Sequence, residues 1–196
     1  MRTKVAPERK PARERLLAAA DELFYEEGVN TVGIDRVIER AGVAKASLYD
    51  CFGSKDELIR AYLQGRHEAR EARITAKLAH YDSPQKKILG LFDSLHETIA
   101  KPGFRGCAFV RASAEARTGG SVKEVCEDSR GWTLALFTRL VREAGAKNAA
   151  RLAQQLVLLY DGAVVSAHVD GNLDAATAAR EVAALLLKAA IPPRTK

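Results

Sequence analysis

Lys45, Ala46, Ser47 and Tyr49 fall within five consecutive positions, just beyond the pair Ala41-Gly42. They offer a cation, a methyl group, a hydroxyl and a phenol. On a helix whose Leu48 and Phe52 turn inward, these side chains share one outward face with Asp50. Lysine and serine suit phosphate oxygens and base edges, alanine suits a thymine methyl, and a tyrosine hydroxyl suits a phosphate. This is recognition chemistry for nucleic acid. The same face would also serve an ordinary helical hairpin that meets only water, and on spacing alone both readings stand.

Catalytic chemistry is not legible. The chain has no Gly-x-Ser-x-Gly elbow, no His-Glu-x-x-His pair and no carboxylates clustered on a shared face. Lys101-Pro102-Gly103-Phe104-Arg105-Gly106 bears glycines but lacks the Gly-Lys-Ser/Thr ending of a phosphate loop. No catalytic residue, metal ligand or cofactor is therefore expected, and an enzyme is the disfavoured reading. Cys51, Cys107 and Cys126 are odd in number, have no close pair and no histidine at ligand spacing. They read as small buried hydrophobes, with a redox-sensing thiol as the alternative.

The elements that must position the outward face are helices, because apolar residues recur at three- and four-residue intervals nearly everywhere. A first helix is expected from Pro11, with Leu16, Ala20, Leu23 and Phe24 inward, ending at Gly28. A short second helix follows, with Thr31 as N-cap and Ile34, Val37, Ile38 and Ala41 inward. Gly42 breaks it and a third runs from Ala44 to Cys51. Ser54 and Glu57 then form a capping box opening a long fourth helix to about Ala79. Five more are expected over 85–100, 107–117, 122–144, 149–169 and 175–190, separated by glycine, proline and Asp-Gly-Asn turns.

The 196 residues carry a net charge of +6, with 47% apolar and 29% charged residues, as in an ordinary globular protein. Six bases against two acids in the first fifteen residues make a basic arm in front of a domain. No apolar stretch is long enough to span a membrane and no signal core follows the arm, so a cytoplasmic protein is expected.

The run Thr31 to Leu58 closely resembles the DNA-binding domain of the TetR family of regulators. It carries that family's Thr-Val opening, its Ala41-Gly42-Val43 turn, its Leu48-Tyr49 pair and its Phe52-Gly53-Ser54-Lys55 tail. Leu16 to Gly28 matches the family's first helix as well, so the resemblance covers the first sixty to seventy residues. It departs at Ala44, where serine is usual, at Cys51, where histidine or tyrosine is common, and at Arg36, which is bulkier and more basic than usual. The resemblance implies that Lys45, Ala46, Ser47 and Tyr49 meet the DNA groove, that Thr31 and Lys55 touch phosphates, and that Arg36 adds a backbone contact. Phe104 to Glu115 is similar to a pocket-floor segment in one branch of the family.

The fold class implied is all-α. A basic arm (1–10) precedes a three-helix DNA-binding head (11–70, helix-turn-helix at about 33–52), joined by a long helix to a helical ligand-sensing and dimerisation domain (71–196). The expected function is a repressor released from double-stranded operator DNA by a small-molecule effector, with an activator or a non-sensing DNA binder as the alternative. Candidate effector contacts are Phe92, His96, Phe104, Cys107, Phe109, Trp132 and Tyr160, though aromatics at helical spacing more often form plain core. A homodimer is expected through about 149–190. Leu152, Leu156, Leu159, Ala163 and Ala167 form one pairing stripe, and Ala179, Val182, Leu186 and Ala190 another. The stripes have the competing reading that they pack on their own body.

Overall fold

Leu16, Ala19, Ala20, Leu23 and Phe24 bury one face of α1 (Ala12–Glu27), the first of a series of helices in the computed structural model. It describes residues 10–116 and 120–192, and all regular structure among them is α-helical. After α1 come α2 (Ile34–Ala41), α3 (Lys45–Phe52), α4 (Lys55–Leu78), α5 (Pro84–Ile99), α6 (Ala108–Glu115), α7 (Ser121–Glu143), α8 (Ala149–Val169) and α9 (Ala175–Ala190). The all-α expectation is met. α8 and α9 fall on the expected residues, and the other ends shift by a residue or two. Apart from Lys10, the basic arm expected over 1–10 lies outside the described residues.

The first three helices close around Leu16, Phe24, Val32, Val37 and Leu48, each at most 2% exposed. Leu58, Ile59, Tyr62 and Leu63 bring the start of α4 into the same cluster, with Phe24 edge-on to Tyr62 at 5.6 Å between ring centroids. α6 and the start of α7 join this cluster too, through Phe109, Ala112, Val122 and Cys126. A second cluster fills the body, from Ile74 and Leu78 on α4 through α5, the later half of α7, α8 and α9. The 24 residues of α4 span about 36 Å at 1.5 Å per residue and reach from one core into the other.

Two sequence expectations change here. Thr31 does not cap α2: the N-cap is Gly33, in extended conformation and with no side-chain cap, because Val32 is buried and the helix begins only at Ile34. Of the capping box at α4, one half forms. Ser54 Oγ accepts from the Glu57 amide at 3.1 Å, whereas the Glu57 carboxylate is taken by Arg60 at 2.7 Å.

The pairing stripe assigned to α8 faces the protomer's own core. Leu152, Leu156, Ala163 and Ala167 are buried there, with Leu159 packed at its margin. On α9, Ala179 is buried likewise, Leu186 and Ala190 pack at the edge, and Val182 alone of that stripe is exposed. Both faces of α8 are apolar, so periodicity could not choose between them. The face left outward carries Leu158, Val165 and Val169, with Val182 and Leu185 beside it on α9.

Candidate nucleic-acid interface

The α2–α3 corner is built on Gly42, which adopts left-handed backbone angles (φ 62°, ψ 46°) that glycine tolerates without steric cost. Its N–H donates to Glu39 O at 3.1 Å and the Val43 N–H donates to Ile38 O at 3.3 Å, closing the end of α2. Arg15 of α1 completes the corner, its Nη1 donating to Ala41 O at 3.0 Å and to Gly42 O at 2.7 Å. A cation at a helix C-terminus also meets the negative end of the helix dipole. Sequence reasoning counted Arg15 only among the charges of the arm. Its contact spans more than twenty residues of chain, and no local pattern signals it.

With the corner fixed, α3 presents the expected face. Leu48 is fully buried and Phe52 is half-buried under the Arg13 guanidinium, 5.2 Å from its ring centroid. Lys45, Ala46, Tyr49 and Asp50 are exposed and Ser47 is half-buried. The structure thus brings Lys45, Ala46, Ser47 and Tyr49 together on one short helix. Its N-cap, Ala44, has the extended conformation of a cap (φ −73°, ψ 152°) but no side chain to fill the role.

The surrounding charges are less free than the sequence implied. Lys45 Nζ lies 3.0 Å from Asp35 Oδ1, and this carboxylate holds the ammonium pKa above its ordinary value. Arg36 is exposed, but its guanidinium is engaged by both oxygens of Glu27 at 2.6 and 2.8 Å, clamping α2 to α1. Arg40 is held similarly by Glu22. Thr31 is exposed in the turn before α2. Lys55 is half-buried at the first position of α4, where burial lowers its pKa, opposed by Asp56 and Glu115.

A sequence profile described as "Bacterial regulatory proteins, tetR family" matches residues 16–62, which span α1 to the start of α4. The chain is 48% identical over 158 residues to the HTH-type transcriptional activator FasR of Mycolicibacterium smegmatis, covering 77% of this chain and 69% of that protein. It is 29% identical over 120 residues to the HTH-type transcriptional repressor NemR of Escherichia coli, covering 60% of this chain and 57% of that one. A solved TetR-family regulator from Streptomyces coelicolor superposes with a TM-score of 0.87 at 32% identity, covering 92% of this chain and 96% of that one. The chain belongs to the TetR family of transcriptional regulators.

In this TetR-family regulator a cleft of about 640 Å³, within the usual range for small-molecule sites, is lined by residues of both core clusters. α1 contributes Leu17, Asp21 and Tyr25, and α4 contributes Tyr62, Arg66, Arg70 and Arg73. The segment before and into α6 contributes Phe104, Cys107 and Phe109, and α8 contributes Tyr160. Four of the seven candidate effector contacts, Phe104, Cys107, Phe109 and Tyr160, therefore line this one cleft. The other three lie elsewhere. Phe92 is fully buried against Phe137 and Tyr160 at 6.1 and 5.9 Å. His96 faces outward on α5, because Phe92, Leu95 and Ile99 occupy that helix's inward side. Trp132 lines a separate groove between α4 and α7, edge-on to His67 at 5.6 Å between ring centroids and donating to Glu71 at 3.0 Å.

The arginines of α4 were not singled out from the sequence. Their spacing of four and three places them on one helical face, the only local sign of a shared role. Tyr25 was missed as well. Its hydroxyl accepts from the Arg105 N–H at 3.0 Å and donates to Gly106 O at 3.2 Å, while its carbonyl accepts from Arg111 at 2.7 Å. Through Tyr25, α1 is tied directly to the segment that walls the cleft.

Proposed function

We propose that this regulator is a homodimeric repressor whose operator affinity is lowered when a small-molecule effector occupies the cleft between head and body. The observation that carries this reading is that the cleft is walled by both parts at once. An effector seated there touches α1 of the head, α4, and the 104–109 segment that holds Tyr25. A ligand that fits one tilt of α4 better than another shifts the spacing of two paired heads, which must sit about 34–36 Å apart to enter successive major grooves.

The DNA contacts proposed are Lys45, Ala46, Ser47 and Tyr49 toward the groove and Thr31 and Lys55 toward phosphates. Arg36 contributes only if it leaves Glu27. Pairing is assigned to the outward face of α8 and α9, where Leu158 is 68% and Leu185 67% exposed, a concentration of large apolar side chains that water alone does not favour. Among the described residues no helix is long and apolar enough to cross a membrane. We place the protein in the cytoplasm with the DNA, and divide the chain into head and body near residue 70.

Activation is the second reading, favoured by the 48% identity to FasR. Repression needs only occlusion of a promoter by the two heads, whereas activation needs a further surface for the transcription machinery. Selecting bound duplexes from random DNA tests the main reading. It should return a two-fold symmetric site with half-sites about one helical turn apart. A Leu158→Asp/Leu185→Asp variant should be monomeric in sedimentation and lose that site. Failure to enrich any sequence would refute the reading, and a reporter carrying the selected site, with and without the protein, decides between repression and activation.

A further inference from the structure

The cleft holds an imbalance of charge. Arg66, Arg70 and Arg73 all line it, together with Lys101. Arg66 is neutralised by Asp21, whose two oxygens accept at 2.6 and 3.0 Å. Arg70 and Arg73 have no such partner: among the described residues neither forms an ion pair. Arg70 donates to Ser129 O, Ser129 Oγ and Thr133 Oγ1 at 3.0 to 3.1 Å, and Arg73 donates to Ser94 Oγ at 2.7 Å and Ser94 O at 3.3 Å. Ser94 and Ser129, each 1% exposed, are the buried polar side chains of the described residues, and both serve these two arginines. Arg70 Nε is itself buried without a hydrogen-bond partner. Glu97, an acid within electrostatic reach of Arg73, is taken by Lys77 at 2.6 Å.

Neutral hydroxyls and carbonyls fix the direction of a guanidinium without cancelling its charge. Two part-buried cations one turn apart then repel each other and stay incompletely compensated, which is costly away from bulk water. Beside them the Tyr160 hydroxyl, on the cleft wall, makes no hydrogen bond among the described residues, and both arginines lie within electrostatic reach of it. Apolar lining comes from Leu17, Leu95, Phe104, Phe109 and Val164, with Phe109 packed against the Arg70 guanidinium at 5.2 Å.

Resting on the ligand-responsive reading above, we infer that the effector is an amphipathic small anion. Its carboxylate or phosphate head is held by Arg70, Arg73 and the Tyr160 hydroxyl, and its apolar body lies along Phe104 and Phe109. Guanidinium forks match both head groups, and one anion would quench the repulsion between the two arginines while using donors the protein leaves idle. A cationic ligand finds no counterpart, since Asp21, the acid lining the cleft, is already spent on Arg66.

Trp132, the single tryptophan, has its ring centroid 5.2 Å from the Arg70 guanidinium, so its fluorescence reports on this site in the full-length protein. Octanoate, octyl phosphate and octanamide are the probes. Both anions should bind at least about tenfold tighter than the amide. The preference should vanish in Arg73→Gln and be retained in Arg73→Lys, with amide affinity unchanged in either. Arg70→Gln should act like Arg73→Gln, and the latter keeps the Arg70 stacking on Phe109 and Trp132 should Arg70→Gln misfold. The tighter anion identifies the head group. Equal binding of amide and anions, or no binding of any probe to about 1 mM, overturns the proposal. The selected duplex separates the two claims. If the amide releases DNA as well as the anions do, sensing stands and the anion class falls. If anions bind preferentially yet DNA affinity does not change, the anion site stands and the regulatory reading falls.

Discussion

Lys45 Nζ lies 3.0 Å from Asp35 Oδ1, so the leading cation of α3, the helix proposed to read DNA, is tethered to a carboxylate on the helix before it. Both side chains are largely exposed, and such a pair contributes little to folding. With α3 in the proposed groove-facing role its effect falls on binding: Asp35 would have to release Lys45 before it reaches a phosphate or base, and its own charge would repel the DNA backbone. Asp35→Asn is expected to leave the urea midpoint nearly unchanged and to tighten DNA binding about threefold or more at low salt. Lys45→Ala should weaken binding and reduce the salt slope by about one. Fluorescence anisotropy across a salt series measures both, and an Asp35→Asn variant that binds more weakly would show that the carboxylate orients the lysine productively.

Ala44 stands at a cap position with cap geometry and no capping oxygen. A hydroxyl there could accept from a first-turn amide of α3, either Ala46 N–H or, shared with the Ala44 carbonyl, Ser47 N–H. Ala44→Ser is therefore expected to raise the unfolding free energy by about 1 kcal/mol. Urea denaturation followed by circular dichroism checks it. A gain in DNA affinity larger than the gain in stability would mean that the new hydroxyl also touches the phosphate backbone.

How much of this was readable in advance depended on the range of the interaction. The outward face Lys45–Tyr49 was legible because the helix is short, its inward residues Leu48 and Phe52 are unambiguous, and Gly42 marks the corner. α8 and α9 were placed correctly because Gly145 and Asp170-Gly171-Asn172 punctuate them. The direction in which α8 faces was not legible, since Leu152 and Leu156 on one side and Leu158 and Val165 on the other are equally apolar, and only packing against α5, α7 and α9 decides. Arg15 at the corner and Ser94 and Ser129 beneath the arginines belong to the same class. Each acts on a residue far away in the chain, where periodicity carries no information.

Tyr25 ties the head to the wall of the cleft through two hydrogen bonds of its hydroxyl, to Arg105 N and Gly106 O. Tyr25→Phe removes both while keeping the aromatic face on which the Arg66 guanidinium sits, 3.7 Å from the ring centroid. Stability should fall by about 1 kcal/mol. Affinity for the selected duplex without effector should stay within about twofold, while the change in that affinity on adding octanoate should shrink about threefold or more. A full octanoate response in Tyr25→Phe would move the coupling route away from α1 and onto α4 alone.

Glu27 and Arg36 form the clamp that sets α2 against α1, and the clamp titrates. The Arg36 hydrogen bond holds the Glu27 carboxyl below its ordinary value of 4.5. A carboxyl whose folded pKa is depressed binds its proton more readily in the unfolded chain, so it contributes stability above the ordinary value. That contribution is lost as pH falls below 4.5 and through the lowered value. The difference in urea midpoint between the unaltered protein and Glu27→Gln should therefore be open at neutral pH, close on acidification through that window, and shrink at neutral pH in about 1 M salt. The gap is small, because both groups meet solvent. A gap that persists unchanged below the window would mean that the Glu27→Gln change costs packing and not an ion pair. Arg36 would then be free to turn toward a phosphate, and Arg36→Ala should weaken DNA binding more than it weakens the fold.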